Sequence, residues 1–283
     1  MCSHAHFRSA LQEASHGYYP STTHRVINPT GGSVSKSRIS LPLFLHPRPD
    51  VVLSERHTAH SYLHHSVRAG AQERYPEGVP ADIDPTQYAS LVGLLEESFS
   101  KYAARSAYSF LGKDITYAQT DRESLAMAAY LQSLGLSKGD RIAIMMPNVP
   151  QYPVAVAAIL RAGFVVVNVN PLYTARELEH QLKDSGAKAI VIIENFAATL
   201  EKCIAQTPVQ HVVLASMGDR LGWLKGNLVN YVVRNVKKMV PVFDLPQAVR
   251  FNDALSKGRQ QAFRKPELSA NDIAVLQYTG GTT

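Results

Sequence analysis

Four β-rich apolar runs recur along the middle of the chain at nearly constant intervals. Arg141–Met146, Phe164–Val169, Ala189–Ile193 and His211–Ala215 start 23, 25 and 22 residues apart. The intervening segments Tyr152–Arg161, Ala175–Ser185 and Phe196–Ala205 carry helical patterning, and Pro171 and Gly186 punctuate two of the joints. A strand that is apolar at successive positions, rather than alternate ones, has to be covered on both faces. Such strands with a helix between each pair predict βαβ units, hence an α/β fold with a mostly parallel sheet and flanking helices. That class hosts unrelated activities, so it predicts an architecture and no function.

Upstream, Asp84-Pro85 reads as a turn into a helix, with Tyr88, Leu91, Val92, Leu95, Phe99, Tyr102 and Ala103 on one face. Ala107–Leu111 and Ile115–Tyr117, joined across Gly112, predict a hairpin. A helix from Ala118 to Leu134 follows and stops at Gly135.

Residues 1–74 hold no such period. Nine of the eleven histidines lie here, among many serines and a proline-rich run from Leu41 to Pro49. The stretch reads as a low-order His/Ser-rich extension, a disordered tail ahead of a domain over residues 75–283. It is short of acids, as transit peptides are, but it has no amphipathic Arg-rich helix and no secretory apolar segment. His57, His60, His64 and His65 would share a helical face, yet no cysteine or carboxylate pair completes a ligand set, so no metal site is expected. Met1 is the only methionine before Met127. An internal start would need another codon, and valine codons can serve as bacterial starts. Val67 stands eight residues before Tyr75, where the organised pattern begins, so the native product is expected to begin near Val67, with residues 1–66 a mis-called or dispensable extension; a targeting segment is the alternative.

The net charge of +6 looks like a nucleic-acid signal until it is divided along the chain. Residues 1–70 carry seven Lys/Arg against three Asp/Glu, whereas residues 71–283 carry 22 against 20. The main body is nearly neutral, which argues against a nucleic-acid partner. Cys2 and Cys203 make no disulfide framework and no CxxC pair. No apolar run is long enough to span a bilayer.

Leu221–Phe243 interrupts the alternation. On a helix, Leu221, Leu224, Leu228, Val232, Val236 and Met239 form an apolar stripe, with Lys225, Arg234, Lys237 and Lys238 largely off it and Trp223 at the boundary. Two readings stay open: a surface helix whose stripe packs on the sheet, or a helix lying in a membrane surface.

Ile273–Gln277 reads as a buried strand running into Tyr278-Thr-Gly-Gly-Thr-Thr283. Two glycines let the backbone turn sharply and approach a ligand, and threonine hydroxyls with consecutive N–H groups can form an anion-binding concavity. A short Gly/Thr turn also serves as an ordinary tight turn. Neither GxxxxGK[ST] nor GxGxxG occurs anywhere in the chain.

Tyr278–Thr283 resembles the opening of the phosphate-binding loop of the adenylate-forming enzymes, the acyl-CoA synthetases and their relatives. In that family the loop continues into further glycine and a lysine, whereas this sequence stops at Thr283. Gly135–Asn148 and Ala162–Thr174, the latter followed by Glu177-Leu178 and His180-Gln181-Leu182, are similar to two earlier family segments, in the family's order. Asn170-Pro-Leu-Tyr-Thr174 and Arg176-Glu-Leu-Glu-His180 most resemble the bacterial long-chain fatty acid–CoA ligases. The resemblance covers residues 75–283.

The resemblance implies the amino-terminal part of such a ligase, cut within its phosphate-binding loop. It implies a partial amino-terminal domain and a reaction in which ATP and Mg2+ activate a long-chain fatty acid to an acyl-adenylate, with transfer to coenzyme A. Thr279, Gly280, Gly281, Thr282 and Thr283 match the loop that orients the ATP phosphates. No catalytic residue or metal ligand is assigned within the sequence, so the 283-residue polypeptide alone is expected to make no acyl-CoA. Gly139-Asp140, Asn148 and Asn170-Pro171 read as scaffold, with Asn148 and Tyr173 as minor candidates for substrate contact. The implied location is cytoplasmic, peripheral to the inner membrane face through Leu221–Phe243, and a homodimer is compatible. Another medium-chain or aryl acid–CoA ligase, or a non-catalytic membrane- or partner-binding fragment, are the alternatives.

Overall fold

The computed structural model describes residue 84 and residues 86–278. The extension over 1–74, the four histidines at 57–65, Val67 and the Thr279–Thr283 segment lie outside the described residues.

Strands β3 (Arg141–Met145), β4 (Val165–Asn168), β5 (Ala189–Ile193), β6 (His211–Ala215), β7 (Ala248–Arg250) and β8 (Val275–Gln277) form one sheet in the order β7-β6-β5-β3-β4-β8. Every pairing in it is parallel, as the alternation predicts. An antiparallel hairpin of β1 (Ser106–Phe110) and β2 (Lys113–Thr116) stands apart from that sheet.

Successive residues of each strand go to opposite faces, and both faces are covered. Ile142, Ile144, Val166, Val191 and Val213 pack toward α2 (Tyr117–Gln132), α3 (Gln151–Arg161) and α7 (Phe251–Gly258). Ala143, Met145, Val167, Ile190, Ile192 and Leu214 pack toward α4 (Ala175–Ser185) and α5 (Ala197–Glu201). Helix α1 (Leu91–Lys101) joins the first layer through Val92 and Leu95, while Leu91 is half exposed rather than on the buried face. Burying a side chain of the size of Ile or Leu contributes about 1.5–3 kcal/mol, so these two layers dominate the fold's stability.

Local chemistry sets the helix ends. The Thr174 hydroxyl accepts from the Glu177 N–H, and the Glu177 carboxylate accepts from the Thr174 N–H at 2.8 Å, a reciprocal cap that starts α4. Thr116 caps α2 from one side only, its hydroxyl accepting from the Gln119 N–H. Arg161, buried at the end of α3, donates to Asp121, Ser124 and the Asp121 carbonyl, tying α3 to α2.

Two expectations need correction. Phe196–Ala205 is not one helix: it resolves into a 3-10 turn at Glu194–Phe196, α5, and a second 3-10 turn at Ile204–Gln206. Ala197, Leu200 and Cys203 are all buried, and their spacing of three suits tighter turns than a continuous α-helix. β8 is not buried; Val275 and Gln277 are exposed, and among the described residues the strand lies at the sheet edge with β4 as its one neighbour. β7 and α7 were not anticipated at all.

Candidate functional site

The connection from β3 to β4 runs to one side of β3 and the next strand, β5, lies on its other side, so the winding reverses between β3 and β5. In open α/β sheets ligands bind outside the carboxyl ends of strands at such a reversal. Here that edge carries Asn148 beyond β3, Asn170 beyond β4, Glu194 and Asn195 beyond β5, Ser216 beyond β6 and Tyr278 beyond β8.

The β4/β8 corner is polar and braced. The Asn168 amide donates to Gln277 Oε1 at 2.8 Å, the Tyr152 hydroxyl donates to Asn168 Oδ1 at 2.9 Å, and the Gln181 amide donates to the Asn168 carbonyl at 2.8 Å. Tyr278 donates its hydroxyl to Asp184 of α4. Partial burial, with that carboxylate beside it, pushes the phenol up to about 12, so it keeps its proton. Tyr278 immediately precedes Thr279 in sequence, so the predicted phosphate-binding residues follow directly on this corner.

The turns read at Gly139-Asp140 and Asn170-Pro171 are present. Gly139-Asp140 is a turn in which the Asp140 carboxylate accepts from the Ser137 N–H at 2.8 Å. Asn170 closes the exit from β4 by accepting from the Leu172 N–H at 3.0 Å. Asn148 is exposed before α3, whereas Tyr173 packs partly against the α4-side core.

Sequence reasoning missed a charged cluster at the same edge. Glu194, almost fully buried, accepts from Arg234 Nε at 3.0 Å, from Arg234 Nη2 at 2.9 Å and from Arg250 Nη1 at 3.1 Å. Arg234 also donates to Ser216 Oγ at 3.0 Å, and the Ser216 carbonyl accepts from buried Gln151 at 2.7 Å. A carboxylate in that position is tolerated because two guanidiniums and their fixed donors replace its water. Its partners lie 40 and 56 residues away, so no local pattern reports it.

Beside it, Asp219 accepts from the Ser216 N–H at 2.7 Å. Burial, together with the Glu194 carboxylate, pushes the Asp219 carboxyl up to about 6, against the opposing pull of the Ser216 N–H, Arg220 and Arg250. A group whose folded pKa lies above its unfolded value contributes stability below the unfolded value and loses it as pH rises through the folded one. Asp219→Asn should therefore raise the unfolding free energy by about 2 kcal/mol at pH 7. That gain should shrink as pH falls from about 6 and be gone below about 4. Thermal melts across this range check it, and a pH-independent difference would refute the assignment.

The Leu221–Phe243 segment departs from the packed-helix reading. It forms α6 (Trp223–Tyr231), a π-helical turn at Val232–Val236, and then irregular chain. Of the six stripe residues Leu221 alone is buried; Leu224 is 75% exposed, and Leu228, Val236 and Met239 are more than half exposed. The stripe points away from the sheet.

The model of the AMP-binding enzyme family matches residues 95–283 of this chain. The chain belongs to that family. Over 211 residues it is 56% identical to a long-chain-fatty-acid–CoA ligase of Escherichia coli O157:H7, covering 74% of this chain and 38% of that protein. The chain thus spans well under half the length of the curated relatives it matches. Among solved structures, an anthranilate CoA ligase in complex with anthranoyl-AMP superposes with TM-score 0.57 at 19% identity, covering 71% of this chain and 35% of that one. A long-chain-fatty-acid-CoA ligase from Archaeoglobus fulgidus superposes with TM-score 0.54 at 20% identity, covering 74% and 38%. At such identities the AMP-binding structures establish the shared fold. Among the described residues, no group of three His, Cys, Asp or Glu could hold a metal ion, and no helix is long and apolar enough to cross a membrane.

Proposed function

We propose that the protein activates long-chain fatty acids: ATP and the acid form an acyl-adenylate and pyrophosphate, and coenzyme A then takes the acyl group. The observation that carries this reading is the 56% identity, over 211 residues, with a ligase of that name. The braced β4/β8 corner supports it, because a loop that grips phosphates needs a rigid base. Thr279, Gly280, Gly281, Thr282 and Thr283 are proposed to hold the β- and γ-phosphates of ATP. Attack of a carboxylate on the α-phosphorus requires the phosphate chain to be neutralised and held in line, and backbone N–H groups with threonine hydroxyls supply part of that. Magnesium would enter bound to phosphate oxygens, adding positive charge there. Asn148 and Tyr173 remain scaffold in this proposal. Because the acids partition into bilayers, the proposal includes a cytoplasmic location with contact at the membrane surface through Leu221–Phe243.

The test is pyrophosphate release by the whole native protein with ATP, Mg2+ and coenzyme A, comparing oleate, octanoate and benzoate. The expected order places oleate first by at least about tenfold, since each buried methylene contributes about 0.8 kcal/mol. A preference for octanoate or benzoate would replace the long-chain reading with a medium-chain or aryl one. No release with any acid would remove the ligase reading.

A further inference from the structure

Consecutive residues of a strand point to opposite faces of the sheet, and at the end of β8 both faces are used to hold the chain. On the α3 side, Gln277 Oε1 accepts from the Asn168 amide at 2.8 Å, and Asn168 is fixed in turn by the Tyr152 hydroxyl of α3 at 2.9 Å. On the α4 side, the Tyr278 ring packs against the core beside Leu276 and donates its hydroxyl to Asp184. Gln181, Asp184 and Ser185 share one side of the last turns of α4, at spacings of three and four. The Gln181 amide donates to the Asn168 carbonyl at 2.8 Å. Ser185 donates to the Gln181 carbonyl at 2.7 Å and stands beside the Tyr278 phenol. β4 and β8 are therefore tied to the same stretch of helix as well as to each other.

That hold exceeds what the strand itself needs. The ladder with β4 already fixes Val275, Leu276 and Gln277. Tyr278 lies one residue past the ladder, immediately before Thr279-Gly-Gly281. Glycine is the freest residue in φ and ψ, so a segment with two of them takes its starting direction from the anchored residue ahead of it. Asp184 also breaks a local rule. It is next to last in α4, at the negative end of the helix dipole, where a carboxylate is disfavoured and a cation is favoured. An exposed aspartate there works against its own helix, and such conflicts are expected where function, rather than folding, selects the residue.

We propose that Asp184 is a positioning residue for ATP: through Tyr278 it sets the direction in which the phosphate-binding segment leaves β8. The inference rests on the reading of Thr279–Thr283 as that segment, and adds a residue that lies 94 positions before Tyr278 and touches no phosphate itself. What Asp184 supplies is an acceptor oxygen at a fixed place. Its partner keeps its proton at neutral pH, since partial burial and the adjacent carboxylate both disfavour the phenolate. An amide oxygen at the same place should therefore serve nearly as well.

Equilibrium titration of the whole native protein with ATP decides it, together with the KM values of pyrophosphate release for ATP, oleate and coenzyme A. Asp184→Ala should weaken ATP binding and raise the KM for ATP by roughly tenfold, part of the hundredfold that a misplacement of about 1 Å can cost. The KM values for oleate and coenzyme A should stay within about twofold of the parent. Alanine is the better helix former and removes a charge from the wrong end of the dipole, so the melting temperature should hold. Tyr278→Phe keeps the ring, loses the hydroxyl and should reproduce the same selective loss. Because the two groups act through one bond, the double variant should be no worse than either single one. Asp184→Asn should recover ATP binding to within about threefold of the parent. ATP binding by Asp184→Ala within about twofold of the parent overturns the proposal. So does an equal rise in all three KM values, a pair of losses that multiply in the double variant, or no recovery with asparagine. A parent whose ATP binding shows the selective loss on Asp184→Ala, but which releases no pyrophosphate with any acid, sinks the ligase reading and upholds the positioning role. Oleate-dependent release that Asp184→Ala leaves untouched sinks the positioning role alone. A parent with no affinity for ATP overturns both.

Discussion

Thr282→Val in the whole protein should lower the rate of oleate-dependent pyrophosphate release by about a hundredfold. On the proposed reading the Thr282 hydroxyl is one of a small set of donors aimed at the ATP phosphates. Losing one preorganised donor at a developing anion typically costs about 10²–10³ in rate. Valine keeps the size and branching of threonine, so an unchanged melting temperature is the control. A rate within threefold of the parent would mean that the Gly/Thr segment is an ordinary turn, the second reading that its sequence allows.

The second large effect is structural. Gly258→Ala should destabilise the fold by about 3 kcal/mol, read as a lower urea midpoint, the upper end of what overpacking a well-packed contact costs. Alanine is the better helix former by about 1 kcal/mol, so the local expectation has the opposite sign. The contact decides it. Gly258 ends α7 where that helix lies on α2, and a Cβ there would collide with the Ala126 carbonyl, standing 2.7 Å from its carbon and 3.1 Å from Tyr130 Cβ. Both neighbours are backbone or the stiff root of a side chain, so the helices would have to separate. A neutral or stabilising result would show that α7 is free to move.

What the sequence revealed and what it hid follow from the range of the interactions. Ala189–Ile193 and Ala175–Ser185 were read to the residue, because a strand buried on both faces and a helix with a reciprocal cap each carry their signal within a dozen positions. The three residues of β7 are too few to show a period. The apolar stripe of Leu221–Phe243 was legible, but its direction was not. A stripe looks the same whether it faces the sheet or faces away, and the residues that decide are Gly226, Asn230 and Arg234. Their partners, Gly218 and Glu194, lie 8 and 40 residues upstream. The Glu194 cluster was hidden for the same reason. For the Gly/Thr segment the sequence shows residue types alone, and the corner that precedes it in the chain, from Asn168 to Asp184 and Tyr278, emerges only from the pairing of β4 with β8.

That pairing also sets an order of events on the ribosome. Asn168 and Gln277 hydrogen-bond across 109 residues of sequence, and β3, β4, β5, β6 and β7 have all left the exit tunnel before β8 does. At roughly 5–20 residues per second, β4 waits several seconds with its valine-rich edge unpaired. An open, apolar strand edge is where nascent chains join the wrong neighbour. Synonymous codons that slow translation between Arg250 and Val275 lengthen that exposure without changing a single residue, and the yield of folded protein should fall with them.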